Sequence, residues 1–226
     1  FSFYAPGTIR LRFAFAQDQT NHYDSVLLPR QACQTECVPT SEGMRLESGD
    51  YAVQIDAERD SAVFSLGGHA LARFCGASGS GEQKQICFER DFSGRPEHFY
   101  GLGSAGEGAD FPAIDWRDSV FRLWLSDHNK HAITPLFLST AGYGLFLNSA
   151  YDGSIAFEKA LTITLRSGTL DLFFFFGPNL AQVLERFTLL TGRMALPPLS
   201  SLGITLRGQY NWTAQQLLDA TDRFRK

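Results

Sequence analysis

At 226 residues the chain is long for one domain and short for two, so one domain plus a piece of another is the expectation. A net charge of −4, with basic residues scattered rather than clustered, gives no electrostatic reason to expect nucleic acid or an anionic membrane as partner. No apolar run approaches the roughly 20 residues a membrane helix needs, whereas 44% apolar content with 20 phenylalanines supports a sizeable, β-rich core.

The chain opens on Phe1 rather than Met, already in a strand-like pattern, so its true N-terminus is expected to lie upstream and the compartment stays open. Residues 8–15 alternate, with Ile9, Leu11, Phe13 and Phe15 on one face and Arg10 and Arg12 on the other, which predicts a half-buried antiparallel strand. Residues 17–47 are polar and poorly patterned, and predict irregular structure with one or two short strands. Tyr51, Val53 and Ile55 resume the alternation. After the turn Glu58-Arg59-Asp60, Ala62, Phe64 and Leu66 return it, and Gly67-Gly68 leads into a strand at 71–74 and another at 86–89. Strands follow at 120–125, 135–139, 143–148 and 154–158.

Cysteines stand at 33, 37, 75 and 87, at spacings that match neither a zinc ribbon nor a redox pair. Cys75 and Cys87 flank a Gly/Ser-rich stretch, 76–81, and either face each other across a hairpin or pack as free, small apolar thiols. The second is the expectation.

Residues 161–198 carry the most information. Leu161, Ile163 and Leu165 alternate with Thr162, Thr164 and Arg166, and Ser167-Gly168 predicts a tight hairpin turn into a return strand, 170–176. Four consecutive phenylalanines, Phe173 to Phe176, leave that strand no polar face, so it must be covered on both sides. Leu180, Val183, Leu184, Phe187 and Leu190 then recur at helical spacing, between an Asn179 cap and Gly192. No helix is predicted before Gly177, and short alternating strands of this number predict a two-sheet sandwich.

After Pro197-Pro198 the pattern changes. Residues 202–207 read as a strand, Thr213 and Gln216 have the spacing of a capping box, and Leu217, Leu218, Thr221 and Phe224 follow helically. An isolated βα unit cannot bury itself, so this segment reads as the start of a larger α/β domain.

Tyr100-Gly101-Leu102-Gly103, Pro135-Leu136-Phe137-Leu138-Ser139, Gly142-Tyr143-Gly144-Leu145-Phe146-Leu147 and Leu170-Asp171-Leu172-Phe173-Phe174-Phe175-Phe176-Gly177-Pro178 resemble glycoside hydrolase family 31. So do Leu189-Leu190-Thr191-Gly192-Arg193, Leu196-Pro197-Pro198 and Leu202-Gly203. Each word is weak alone, but their shared order makes the resemblance strong, and it spans the chain. It implies a galactose-mutarotase-like β-sandwich over 1–178, a linker helix and connection over 179–198, and the first βα unit of a (β/α)₈ barrel over 199–226.

The resemblance further implies a retaining α-glycosidase acting on α-linked glucosides or xylosides, with no metal or cofactor. Retaining enzymes of this kind use a carboxylate pair about 5–5.5 Å apart. In the family both aspartates come from later barrel strands, so this stretch alone is expected to be inactive, and the remainder of its own barrel domain is its expected partner. The sandwich contributes a loop that helps hold the sugar beyond the cleaved bond. The matching residues here are Asp118, or else Asp115, with Trp116 as a stacking surface, although the family's asparagine is not in place. The same aspartates would equally serve as turn caps on a surface loop.

Other patterns carry less. His128 and His131 lack the partners of a metal set, and Ser104-Ala105-Gly106-Glu107-Gly108 has no following helix to cradle phosphate. The rival to a glycosidase is a stand-alone carbohydrate-binding or scaffolding sandwich.

Overall fold

The computed structural model describes residues 1–13, 15, 27–80, 83–103, 115–123, 133–202 and 211–224. It divides into two compact units, Phe1–Gly192 and Arg193–Lys226.

The phenylalanine run forms β15 (Leu170–Phe176), in which every residue is buried. It sits between β2 (Thr8–Phe13) and β12 (Tyr143–Leu147) in a six-stranded sheet of order β1-β2-β15-β12-β11-β9, where β1 is Ser2–Ala5, β11 Ile133–Ser139 and β9 Phe99–Gly103. The strand's two faces meet different partners, as four adjacent phenylalanines require. Leu170, Leu172, Phe174 and Phe176 point into the main core, and Phe173 and Phe175 meet Val183 and Leu190 of α1 (Leu180–Thr191). Deleting one such ring to alanine costs about 3–5 kcal/mol.

The opposing sheet has nine strands, in the order β10 (Val120–Leu123), β13 (Gly153–Phe157), β14 (Ala160–Leu165), β8 (Gln83–Glu89), β7 (His69–Ser80), β6 (Ser61–Leu66), β5 (Tyr51–Asp56), β4 (Gly43–Ser48) and β3 (Glu36–Thr40). Phe64 of β6 reaches across to lie flat on Phe174, with ring centroids 4.1 Å apart and planes 16° apart. Phe174 is stacked in turn on Tyr143, at 5.1 Å and 9°. The sandwich core is thus an aromatic column joining the two sheets. All strand pairs within both sheets are antiparallel.

One local expectation is corrected. The residues around Ser167-Gly168 do not close a hairpin, because β14 pairs with β13 and β8 in one sheet while β15 pairs with β2 and β12 in the other. The short connection carries the chain from one layer to the next. Gly168 is required there: its φ is +76°, and a Cβ would strike the Tyr151 ring at 2.2 Å. A second difference concerns β7, which runs through to Ser80 rather than ending near Phe74, because a register shift after Phe74 lets it continue against β8.

Helix α1 starts where expected. The Asn179 side chain accepts from the Gln182 amide at 3.0 Å, and Gly192 closes the helix at φ +98°. Its inner face seals the outer side of β15, so it belongs to the first compact unit.

Within the second unit, Leu199–Leu202 forms a 3₁₀ turn and α2 spans Ala214–Phe224. The capping box is reciprocal: the Thr213 amide donates to Gln216 Oε1 at 2.8 Å, and the Gln216 amide donates to Thr213 Oγ1 at 3.3 Å. Beyond Leu202, the strand expected at 202–207 lies outside the described residues, as do His128, His131 and Ser104–Gly108. No helix among the described residues is long and apolar enough to cross a membrane.

Candidate functional site

The three residues expected to meet sugar fall in one turn, 115–119, which ties the end of one sheet to the other. β9 ends the six-stranded sheet and β10 ends the nine-stranded one. The Trp116 amide donates to Phe99 O of β9 at 2.9 Å, while the Asp118 amide donates to Phe157 O of β13 at 2.9 Å. Phe157 returns a bond to Ser119 O at 2.8 Å.

Each side chain of the turn does different work. The Asp115 carboxylate accepts from the amides of Phe99 and Arg117, both at 3.1 Å, and pairs with His98 Nδ1. Burial pushes its carboxyl up, but the His98 bond and the two amides outweigh it and hold the group below the usual range. Trp116 presses edge-on against Phe121 at 5.1 Å and donates from Nε1 to Gly101 O at 3.3 Å, so much of its ring is engaged in packing.

Arg117 is the anchor. Its guanidinium grips Asp91 with both terminal nitrogens, at 2.8 and 2.7 Å, and Nη1 also donates to Glu97 O at 2.6 Å. Asp91 and Glu97 exchange amide-to-carboxylate bonds of 3.1 and 2.6 Å. Glu97 is only 2% exposed, and its other oxygen accepts from Ser139 Oγ. The Arg117 bond holds the Asp91 carboxyl down at about 2. Behind this network lies the fully buried Tyr143, whose hydroxyl is kept protonated first by burial and then by the charge of Glu97.

Asp118 differs from its neighbours. Its backbone sits in the left-handed region at φ +62°, and its side chain is 69% exposed, with Oδ1 bonded to Arg90 and Oδ2 3.9 Å from Arg117 Nε. Arg90 is itself fixed by a 2.8 Å bond to Phe157 O. The turn therefore presents one outward carboxylate on a backbone held rigidly from behind, a group able to accept hydroxyl hydrogen bonds.

The sequence reading found the turn and missed what holds it: Arg90, Asp91, Glu97, His98 and Ser139. The available signal was the alternation of acid and base in Arg95-Pro96-Glu97-His98, just before the Phe99-Tyr100-Gly101 word. Among the described residues no cluster of three or more His, Cys, Asp or Glu is placed to hold a metal ion. Elsewhere on the sandwich, a cavity of about 530 Å³ lies beneath α1, with Tyr4, Tyr51, Gln182 and Arg186 among its lining.

No family model matches the sequence. Among curated proteins, the chain is 30% identical over 135 residues to an α-glucosidase 2 from Bacillus thermoamyloliquefaciens, a match covering 53% of this chain and 16% of that one. It is 29% identical over 140 residues to an α-xylosidase from Emericella nidulans, covering 57% of this chain and 17% of the relative. The chain thus spans about one-sixth of the length of these relatives. In fold it is similar to a solved GH31 α-xylosidase from a soil metagenome, complexed with xylose, at a TM-score of 0.70 and 18% identity over 84% of this chain and 31% of that one. The fold defines the class first: a two-sheet antiparallel sandwich of the type that solved glycoside hydrolase carries. In sequence the chain is similar to α-glucosidases and α-xylosidases, and in fold to a solved member of glycoside hydrolase family 31.

Proposed function

We propose that the chain is the sandwich portion of a retaining α-glycosidase acting on α-linked glucosides or xylosides, and that turn 115–119 shapes the side of the active site that receives the leaving sugar. The carrying observation is the outward carboxylate of Asp118 on a turn whose Asp115 and Arg117 side chains are turned to internal bonds. In this reading Asp118 accepts hydroxyl hydrogen bonds from substrate, Trp116 offers its remaining exposed edge, and Asp115 positions the backbone. The nucleophile and the acid/base are aspartates of a barrel domain beyond residues 1–178, and residues 199–226 begin that barrel.

The test is expression of the polypeptide that carries this chain together with its barrel, assayed on α-glucosides and α-xylosides with the product anomer followed by NMR. Release of the α-anomer supports the proposal, and release of the β-anomer or no hydrolysis of either series overturns it. The cavity beneath α1 favours a second reading, a sandwich that binds carbohydrate by itself, because aromatic and polar side chains, Tyr4, Tyr51 and Gln182 among them, line about 530 Å³ without help from a barrel. Titration of the isolated chain with maltose or xylosyl oligosaccharides separates the two. Tight binding supports the second reading, and weak or absent binding the first.

A further inference from the structure

Cys75 and Cys87 lie on neighbouring strands, directly across the irregularity that lets β7 continue. Phe74 is in register with Phe88 and Ala77 with Ile86, so Cys75 and Gly76 together face the single residue Cys87. This is a β-bulge. Phe74, Phe88 and Ile86 are buried in the core, whereas Arg73, Cys75 and Glu89 are exposed and Cys87 is half-buried. Alternation therefore sets both thiols on the outer face of the nine-stranded sheet. The next outward pair on that face, Arg73 and Glu89, meets in a 3.2 Å ion pair.

The bulge is held in place. The Ala77 amide, next after the bulge, donates to Asp60 Oδ2 at 3.2 Å. Gly76 takes φ +122° and brings no side chain, which leaves Cys75 as the one side chain of the bulged pair facing Cys87. The two thiols are free, Cys75 Sγ donating to Arg73 O at 3.7 Å and Cys87 Sγ to Phe88 O at 3.8 Å. The regular pairs that bracket the bulge are of a kind whose Cα atoms stand about 4.5–5.5 Å apart, inside the roughly 4.4–6.8 Å span of a disulfide.

We propose that Cys75 and Cys87 are a cross-strand dithiol that a small-molecule disulfide such as oxidised glutathione converts to a covalent staple on the outer face of the sandwich. One protein thiolate attacks a glutathione sulfur, breaking that S–S bond and expelling one glutathione thiolate. The second protein thiolate then attacks the protein sulfur of the mixed disulfide and expels the other glutathione. Two thiol protons are lost and two electrons pass to glutathione, leaving one protein disulfide and two glutathione thiols. Burial, then the nearby Cys87 and Glu89 charges, push the Cys75 thiol up. Such a thiol is a poor leaving group, so the staple resists reduction once formed.

The test is peptide mapping of the full 226-residue chain after incubation with oxidised glutathione. In the expected product tryptic peptides 74–84 and 85–90 are joined until reduced, two hydrogens lighter than their sum and free of glutathione, whatever Cys33 and Cys37 carry. Its urea midpoint is higher than that of the reduced chain. In Cys75→Ser a single glutathione is expected to stay on Cys87. Stable glutathione on both cysteines of the wild-type chain, or both thiols still open to alkylation, overturns the proposal. A link from either cysteine to Cys33 or Cys37 does so as well.

Discussion

Two arginine–aspartate pairs in this sandwich are both bidentate, Arg10 through Nε and Nη2 and Arg117 through Nη1 and Nη2, and sit in different surroundings. Arg10 and Asp171 meet at 2.8 and 2.6 Å on neighbouring central strands, with side chains only 11% and 8% exposed. Asn148 adds a third bond to Asp171 at 2.9 Å, and the guanidinium lies over the Phe173 ring at 5.2 Å. Arg117 and Asp91 meet at 2.8 and 2.7 Å near the sheet ends, with side chains 22% and 33% exposed. The first pair is sealed among strands and a phenylalanine, so its charges meet little water. The second is half open, and what it holds is a turn. Both pairs make two charged hydrogen bonds, and burial sets them apart.

The largest loss of stability is expected at the sealed pair. Asp171→Ala is expected to cost about 3–5 kcal/mol, because it removes the buried carboxylate that the Arg10 guanidinium and the Asn148 amide both bond, and a urea midpoint measures this directly. Arg117→Ala should cost less, about 1.5–3 kcal/mol for lost charged hydrogen bonds. Its signature is local, with faster hydrogen exchange at the amides of Trp116, Asp118 and Ser119 and little change in β2 and β15.

Acid sharpens the contrast further. The folded Asp91 carboxyl is held at about 2 by Arg117, below its ordinary 3.8. A depressed carboxyl contributes stability that is complete above the unfolded value and lost as pH falls through the folded one. Wild type is therefore expected to lose more stability than Asp91→Asn as pH is lowered from about 4 to about 2, as read from urea midpoints along that series. The smallest effect on the fold belongs to Asp118→Asn. Its ion pair with Arg90 is exposed on the carboxylate side, and such pairs contribute about 0–1 kcal/mol.

The sequence reading succeeded where a local rule had one solution. Four adjacent phenylalanines can be buried only between two layers, and β15 lies between the aromatic core and α1. The Asn179 cap and the Thr213–Gln216 box are likewise rules of a few adjacent residues. It failed where the answer depended on distant partners. A tight turn announces that two strands are close in space, but not whether they share a sheet, and Ser167-Gly168 joins two sheets. The candidate turn was legible as Asp115-Trp116-Arg117-Asp118, yet nothing local separates its two aspartates. That separation comes from His98, Asp91 and Arg90, each 17 to 28 positions away from its partner.

The role proposed for Asp118 is to face sugar from a turn whose other charges are engaged in internal bonds. Steady-state kinetics of the barrel-containing enzyme with Asp118→Asn tests it most directly, comparing an α-linked disaccharide with an aryl α-glycoside. The account expects KM for the disaccharide to rise about tenfold, the loss of one charge-assisted hydrogen bond, with kcat and the aryl substrate little changed and the urea midpoint unmoved. An unchanged KM for both substrates in a fully folded variant would contradict it.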